Sequence, residues 1–555
     1  MPALSEALGH MRDLPRYREI LTALIKYGYR DVAAALHLEA VLGPLERLTR
    51  GHSPPPADAD RPHRLRLVCE ELGPTFVKLG QLLSTRPDLL PESYLQELGA
   101  LRDDVKPFPF PEVEAILRAE WRRPWQDVLA SLDPEPVASA SISQVHHASL
   151  PDGRAVALKI RRPLIEKIVQ ADLDIVRHLA ELAQRRIPWS YAYRPVSLAK
   201  EFERSLRREL DLDTELRTMQ RCAAQLESFD FAHVPAVFPE LSTERLLVME
   251  FIAGADVDDM EAIRNLGADP REIAQHGAQL LMEQIFTFGF FHADPHPGNL
   301  RVLPGGIIAP LDYGLFGSLD LANRESIADL LAGLLSQDVA RVLRALDDLE
   351  IRGERLDPRE LRRDVAELVA AYSDLRLDRI DLARLLSDLI RLIRTHHLRI
   401  PPDLLLLVRS LITIESVGRK LDPHFDISRV VRPHLEKLAR SRYSPRRLLT
   451  QAARASDDLH RIVTLLPDVL GRSLESIERG ELKVQFDLQH MERLVRQLAR
   501  AGNTLAIGIT LAGLFIGSAL LHHSPTAPRW LSTGGFLLAA MLGLRLVYGL
   551  LRDEG

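Results

Sequence analysis

His292-Ala-Asp-Pro-His-Pro-Gly-Asn299, followed thirteen residues later by Asp312-Tyr-Gly314, is the stretch on which the reading of this chain turns. Pro295 and Pro297 prevent helix across it and Gly298 lets the backbone turn, so its polar groups converge from a loop. The side chains offer hard oxygen, as two carboxylates (Asp294, Asp312) and the amide carbonyl of Asn299. Such a set suits Mg²⁺, which takes one or two protein carboxylates and leaves other positions to phosphate oxygens. A zinc-protease reading of His292 and His296 is weak. Their i, i+4 spacing meets on one metal only in a helix, which the prolines argue against.

The spacing matches that of a phosphoryl-transfer loop, in which an Asp faces the acceptor, an Asn five residues on holds Mg²⁺, and a later Asp-x-Gly Asp holds Mg²⁺ against the phosphates. On that template Asp294 is catalytic, while Asn299 and Asp312 bind metal. A solvated Pro-rich turn is the alternative. Upstream, the turn Pro151-Asp-Gly153 precedes Ala155-Val-Ala-Leu-Lys-Ile160, a strand carrying Lys159 where a kinase lysine would grip the α- and β-phosphates. An exposed strand lysine is its alternative. Glu215, in Glu209-Leu-Asp-Leu-Asp-Thr-Glu215, is the candidate helix carboxylate to orient that lysine, although Glu209, Asp213 and Glu215 read equally as a solvated helix face. Arg245-Leu-Leu-Val-Met-Glu-Phe-Ile252 reads as a buried strand running into a hinge. Backbone groups from Glu250 to Ile252 are expected to bind adenine there.

Composition limits the function classes. With 555 residues, 46% hydrophobic, the chain can bury a large core and is not a disordered protein. The net charge of −6 with dispersed basic residues does not suggest nucleic acid. Cys69 and Cys222 are the only cysteines and have no CxxC spacing, so neither a disulfide framework nor a zinc site is expected. The first twenty residues alternate charged and apolar side chains without the apolar core of a signal peptide, which predicts that the bulk of the protein stays in the cytoplasm.

The C-terminus differs. Residues 504–521 and 530–551 are two apolar stretches around a short His-His-Ser-Pro-Thr-Ala-Pro-Arg turn, each near the ~20 residues needed to span a bilayer. They predict a transmembrane hairpin, with Gly513 and Gly517 as a small-xxx-small face for helix approach and Arg545 near enough to the end to snorkel. Arg496, Arg500 and Arg552 put both ends in the cytoplasm, against Arg529 in the outer turn. A buried soluble helical hairpin is the alternative.

Along the chain, residues 1–50 and 61–122 are helical in period, joined by a Pro-rich linker at 51–58. Strand texture occupies 134–159 and the hinge strand, helical periodicity runs over 164–186 and 198–229, and 321–500 is rich in Leu and Arg at helical spacing. The expected division is a helical extension at 1–130, a small lobe with a helical insertion at 131–255, a larger lobe at 256–430, a juxtamembrane helical region at 431–503 and the hairpin at 504–551. Order of elements gives an α+β class, mostly helical and bilobal.

A glycine-rich phosphate loop is absent. Ahead of Lys159 stands Ala138-Ser-Ala-Ser-Ile-Ser-Gln-Val-His146, and far upstream lies Lys78-Leu-Gly-Gln81. On these residues the chain resembles the UbiB family of atypical, kinase-like proteins linked to ubiquinone and other isoprenoid quinone biosynthesis. Lys78 and Gln81 match the family's K-x-G-Q signature, and Ala138, Ser139, Ala140 and Ser141 its Ala-rich loop. Lys159 matches the nucleotide lysine, Glu209 with Asp211 the E-x-D motif, and Asp294, Asn299 and Asp312 the catalytic and metal positions. Glu415-Ser-Val-Gly-Arg-Lys-Leu-Asp-Pro423 looks like the family's C-terminal lobe.

The resemblance implies an atypical protein-kinase-like fold whose extension covers the active site. Lys78, Gln81, Glu209 and Asp211 then act as regulators in the space a peptide substrate would need. It further implies ATP and Mg²⁺ as cofactors, slow membrane-stimulated ATP hydrolysis, and membrane lipids, hydrophobic quinone precursors and quinone-biosynthesis enzymes as partners. The excess of Arg over Lys, with the hairpin, points to a bacterial inner membrane. Two other functions stay open: a small-molecule or lipid phosphotransferase, since the His-x-Asp loop also resembles the aminoglycoside and choline phosphotransferase class, and a non-catalytic nucleotide-sensing membrane scaffold.

Overall fold

The computed structural model describes residues 14–31, 60–101, 105–187, 190, 194–351, 357–372, 382–396 and 398–442, with short pieces between 510 and 541. Residues 1–442 form one compact unit and 443–555 another.

Among the described residues, helical periodicity before residue 122 becomes five helices, α1 (Leu14–Lys26), α2 (Arg61–Leu72), α3 (Pro74–Ser84), α4 (Glu92–Gly99) and α5 (Phe110–Trp121). Gly73, at φ +90°, ends α2, and Pro74 starts α3 where its missing N–H is no loss. Tyr17, Ile20, Leu21, Leu72, Phe76 and Leu98 form the common core of α1 to α4. Gly80, within Lys78-Leu-Gly-Gln81, has a packing reason. A Cβ there would run into Leu101, with Cys69 Sγ 3.3 Å away, so the absence of a side chain lets α3 lie tight against its neighbours. Gln81 donates its amide to the Leu101 carbonyl at 3.2 Å.

The small sheet is antiparallel, with strands β1 (Ser131–Leu132), β2 (Ala138–Ser139), β3 (Ser143–Ser149), β4 (Ala155–Arg161) and β5 (Leu246–Glu250). Its order is β1-β3-β4-β5, with β2 also paired to β3. The turn between β3 and β4 closes through Gly153, at φ +88°. Strand alternation then assigns faces. Val156, Leu158 and Ile160 pack with Val113 and Leu117 of α5. Ala157 and Lys159 fall on the opposite face, where Ala157 meets the helix that carries Glu215.

Between β4 and β5 lie α6 (Ile165–Arg186), α7 (Pro195–Leu210) and α8 (Leu212–Leu226). The single helical run expected over 198–229 is broken at Asp211. Asp211 leaves the helical region (φ −97°, ψ 94°), and its carboxylate accepts from Asp213 N–H at 3.1 Å and Thr214 Oγ1 at 2.7 Å. Periodicity continues across the break because an N-cap changes the backbone of one residue without removing the apolar stripe.

The larger half carries β6 (Ala255–Asp256), α9 (Met260–Asn265), α10 (Pro270–Met282), β7 (Phe290–His292), β8 (Leu300–Leu303), β9 (Ile307–Pro310) and β10 (Phe316–Ser318). Helices α11 (Leu321–Leu335), α12 (Val339–Asp348), α13 (Pro358–Tyr372), α14 (Leu382–Thr395), α15 (Pro402–Leu421) and α16 (Ile427–Arg442) follow. A π turn, Glu283–Phe288, continues α10 into β7. The fold is kinase-like and mostly helical with some sheet.

In the C-terminal unit, most of 504–551 lies outside the described residues, as does Gly517. Among the described residues no helix is long and apolar enough to cross a membrane. Among the described residues, a Cβ on Gly513 would meet nothing within 4 Å. Gly535 instead faces Ser518, whose Cβ lies 3.2 Å from where a Gly535 side chain would begin. At ~100° per residue, Ser518 stands about 140° round a helix from Gly513.

Candidate active site

β4, α8 and the loop after β9 bring three charges together. Lys159 Nζ lies 2.7 and 2.8 Å from the two Glu215 carboxylate oxygens and 3.2 Å from Asp312 Oδ1. Glu215, three residues after the first residue of α8, is 4% exposed and also accepts from the Tyr313 N–H at 3.3 Å. Glu215 is thus in the site and not on a solvated face. Asp312 accepts from its own Gly314 N–H at 3.3 Å and keeps 42% of its side chain open, so a metal ion or water can reach it.

The charges bias one another. Burial alone would discharge Lys159, but Glu215 and Asp312 outweigh it and hold the ammonium well above its ordinary value. Burial raises the Glu215 carboxyl, against the pull of Lys159. Burial would also raise Asp312, yet Lys159, His292 and Lys78 together hold it well below the usual carboxylate range. Lys78 therefore acts on the same cleft, and it forms an ion pair with Glu209 near the end of α7. Of the E-x-D pair, Glu209 meets Lys78 while Asp211 caps α8.

The catalytic-loop residues are held from several directions. Asp294 N–H donates to His292 Nδ1 at 3.1 Å, which leaves the His292 proton on Nε2, and burial lowers the affinity of this imidazole for a second proton. The π turn aims Gln284 so that its side-chain oxygen accepts from the His292 N–H at 3.1 Å, and Ser410 of α15 donates to the His292 carbonyl at 3.0 Å. The neighbouring Arg409 places Nη2 2.7 Å from Asp294 Oδ2. His296 accepts from Gly298 N–H through Nδ1 at 3.2 Å.

Asn299 directs its amide NH₂ to the Asp294 carbonyl at 3.3 Å, which leaves the amide oxygen available. Among the described residues no three His, Cys, Asp or Glu side chains form a metal cage. The Asn299 amide oxygen and the half-open Asp312 carboxylate offer the hard oxygen that a Mg²⁺ shared with a phosphate would take.

The remaining nucleotide candidates line the small sheet. Ala138 and Ser139 form β2, Ala140 N–H bonds the Ser143 carbonyl at 2.8 Å, and the fully buried Ser141 has no partner for Oγ among the described residues. The Glu250 side chain turns away to His233 at 2.8 Å and the Ala236 N–H at 3.0 Å. The Phe251 N–H bonds the Ala155 carbonyl, whereas the Ile252 N–H makes no hydrogen bond among the described residues.

Three supporting residues escape sequence reading. Gln284 and Arg162 carry no motif. Arg409, within Leu404-Leu-Leu-Leu-Val-Arg-Ser-Leu411, does leave a signal, a lone charge in an apolar helical run.

Sheet, lysine pair and clamped loop define the chain as a kinase-like protein. The family model for the ABC1 atypical kinase-like domain matches residues 100–346, that for the UbiB helical domain 365–426, and that for the ABC1/UbiB kinase-like C-terminal domain 489–552. A "Probable protein kinase UbiB" of Xanthomonas axonopodis is 34% identical over 90% of this chain and 94% of its own. A protein of the same description from Cellvibrio japonicus is 31% identical over 98% of both chains. The chain belongs to the ABC1/UbiB family.

Proposed function

We propose that this protein binds Mg-ATP at Lys159, Asn299 and Asp312 and hydrolyses it slowly at a bacterial inner membrane, in support of ubiquinone or a related isoprenoid quinone synthesis. The observation that carries the reading is the Lys78 to Glu209 ion pair, seen beside an Asp294 that is only half engaged. A carboxylate that accepts a proton from an acceptor hydroxyl must present a free oxygen to it, and here one Asp294 oxygen is paired with Arg409 at 2.7 Å. The Lys78 to Glu209 pair brings the N-terminal extension into the same cleft. Asp294 keeps its other oxygen for the proton of whichever hydroxyl attacks, while the Lys78 to Glu209 pair takes up space a peptide would need, which favours attack by water. Bound Mg²⁺ would neutralise phosphate charge. The chain's own part is to orient: Lys159 is fixed by Glu215 before nucleotide arrives, and Asn299 is fixed by Asp294.

Membrane attachment rests on the two apolar stretches at 504–551, which fall within the matched C-terminal family domain. The quinone role rests on family membership and on the name of the relatives.

The test is Mg²⁺-dependent phosphate release from ATP by the full chain in detergent and after reconstitution into anionic liposomes. Asp312→Asn serves as control, with mass spectrometry for phosphorylated acceptors. Liposome-stimulated release that vanishes in the control, with no phosphorylated product, supports the proposal. A phosphorylated small molecule would replace it with phosphotransfer, and binding without turnover in any condition would replace it with a scaffold.

A further inference from the structure

Arg162 stands just beyond β4 and reaches back to the turn between β2 and β3. Its Nε donates to the Ala140 carbonyl at 2.8 Å, and Nη2 donates to Ser139 Oγ at 2.7 Å and to the Lys106 carbonyl at 3.1 Å. Its backbone N–H takes the Ile142 carbonyl at 2.8 Å. One residue therefore grips the turn on both sides of Ser141. The guanidinium also lies over the Phe108 ring, 5.5 Å from its centroid.

The partner segment is itself fixed. Val105 N–H donates to the Ser139 carbonyl at 3.2 Å, and the Gln144 amide bonds both the N–H and the carbonyl of Phe108, at 3.0 and 3.4 Å. Beyond the turn, Ile142 packs with Ile165, Phe202 and Leu206, against which Leu79 and Leu82 of α3 also rest. What this arrangement holds in place is unusual. Ser141 is fully buried and its hydroxyl has no partner among the described residues. An unmatched buried hydroxyl is unfavourable, so it persists only where neighbours leave it no alternative.

We propose that Arg162 is a positioning residue for nucleotide, pinning the Ala138 to Ser141 turn so that the unmatched Ser141 hydroxyl awaits a phosphate. A phosphate oxygen is the acceptor that a buried, unpaired hydroxyl lacks. The inference rests on reading 138–141 as the phosphate loop, which Ala140→Gly tests separately.

The experiment is calorimetric titration of the full chain with Mg-ATP and Mg-ADP, comparing native protein with Arg162→Gln, Arg162→Lys, Ala140→Gly and the Arg162→Gln, Ala140→Gly double variant. Hydrogen exchange across 138–143 is followed in each, and unfolding curves verify folding. Loss of charge-assisted hydrogen bonds should weaken ATP binding by Arg162→Gln about tenfold. Exchange in the turn should rise, and Arg162→Lys, which can still reach one carbonyl, should fall between. The two losses should not add in the double variant, because both act on one turn.

ATP affinity within twofold of native for folded Arg162→Gln overturns the inference. If Ala140→Gly still shifts affinity in that case, the phosphate-loop reading survives alone; if neither shifts, both readings fall. Losses that add fully also overturn it, since Arg162 would then act elsewhere.

Discussion

Replacing Lys159 by methionine should destabilise the ligand-free protein far more than replacing Glu215 by glutamine, although the two side chains form one ion pair. Lys159 touches two carboxylates, at 2.7 and 3.2 Å. Its removal leaves Glu215, 4% exposed, without its cation. Stranding one member of a buried pair costs about 3–5 kcal/mol, and the openness of Asp312 places the expected loss near the lower end, about 3 kcal/mol. Glu215→Gln removes a charge that burial already opposes, while an amide oxygen can still accept from the Tyr313 N–H. Its cost should stay within about 1 kcal/mol.

The pH dependence gives a second reading of the same physics. In the native protein Asp312 is held low, so its contribution is fully present above the unfolded-chain value of about 3.9 and is lost as the pH falls through its lower folded value. Without Lys159 both carboxyls rise. The folded state then binds more protons than the unfolded chain in mild acid, and stability should recover as the pH falls from about 7.5 to 5.5. Urea unfolding of both variants at those two pH values, with free energies taken from the transition midpoints, measures the difference. A Glu215→Gln loss equal to that of Lys159→Met, or a Lys159→Met deficit indifferent to pH, would refute the reasoning.

Lys78→Ala should change ATP affinity or turnover in a chain that stays folded, because Lys78 pairs with Glu209 and acts on Asp312; unchanged values for both would remove Lys78 from the site. Gly80→Ala should cost about 1–3 kcal/mol, since the added methyl runs into Leu101, and a urea midpoint equal to native would show that α3 can shift freely. Alkaline carbonate should leave the full chain in the membrane fraction, and deletion of 504–555 should release it; extraction of the intact protein would dismiss the hairpin.

Much of the site was legible because it is local. Asp294 and Asn299 sit five apart on a loop that two prolines keep from helix, and Lys159 sits on a strand whose alternation assigns its face. Glu215 was harder, because a carboxylate on an amphipathic helix reads the same in water or in a core. Its burial depends on which face α8 turns to β4, which is settled by Leu212, Leu216 and Met219 packing with Ala157. Arg409 and Arg162 meet partners 115 and 22 residues away. No spacing rule spans such distances, and an arginine carries no mark of where its long side chain ends.

α8 begins at a capped, fixed point and presses its apolar face into the sheet, with Glu215 already against Lys159. Capped at Asp211 and packed through Leu212, Leu216 and Met219, this helix makes the Lys159 to Glu215 pair part of the packing of the small sheet itself.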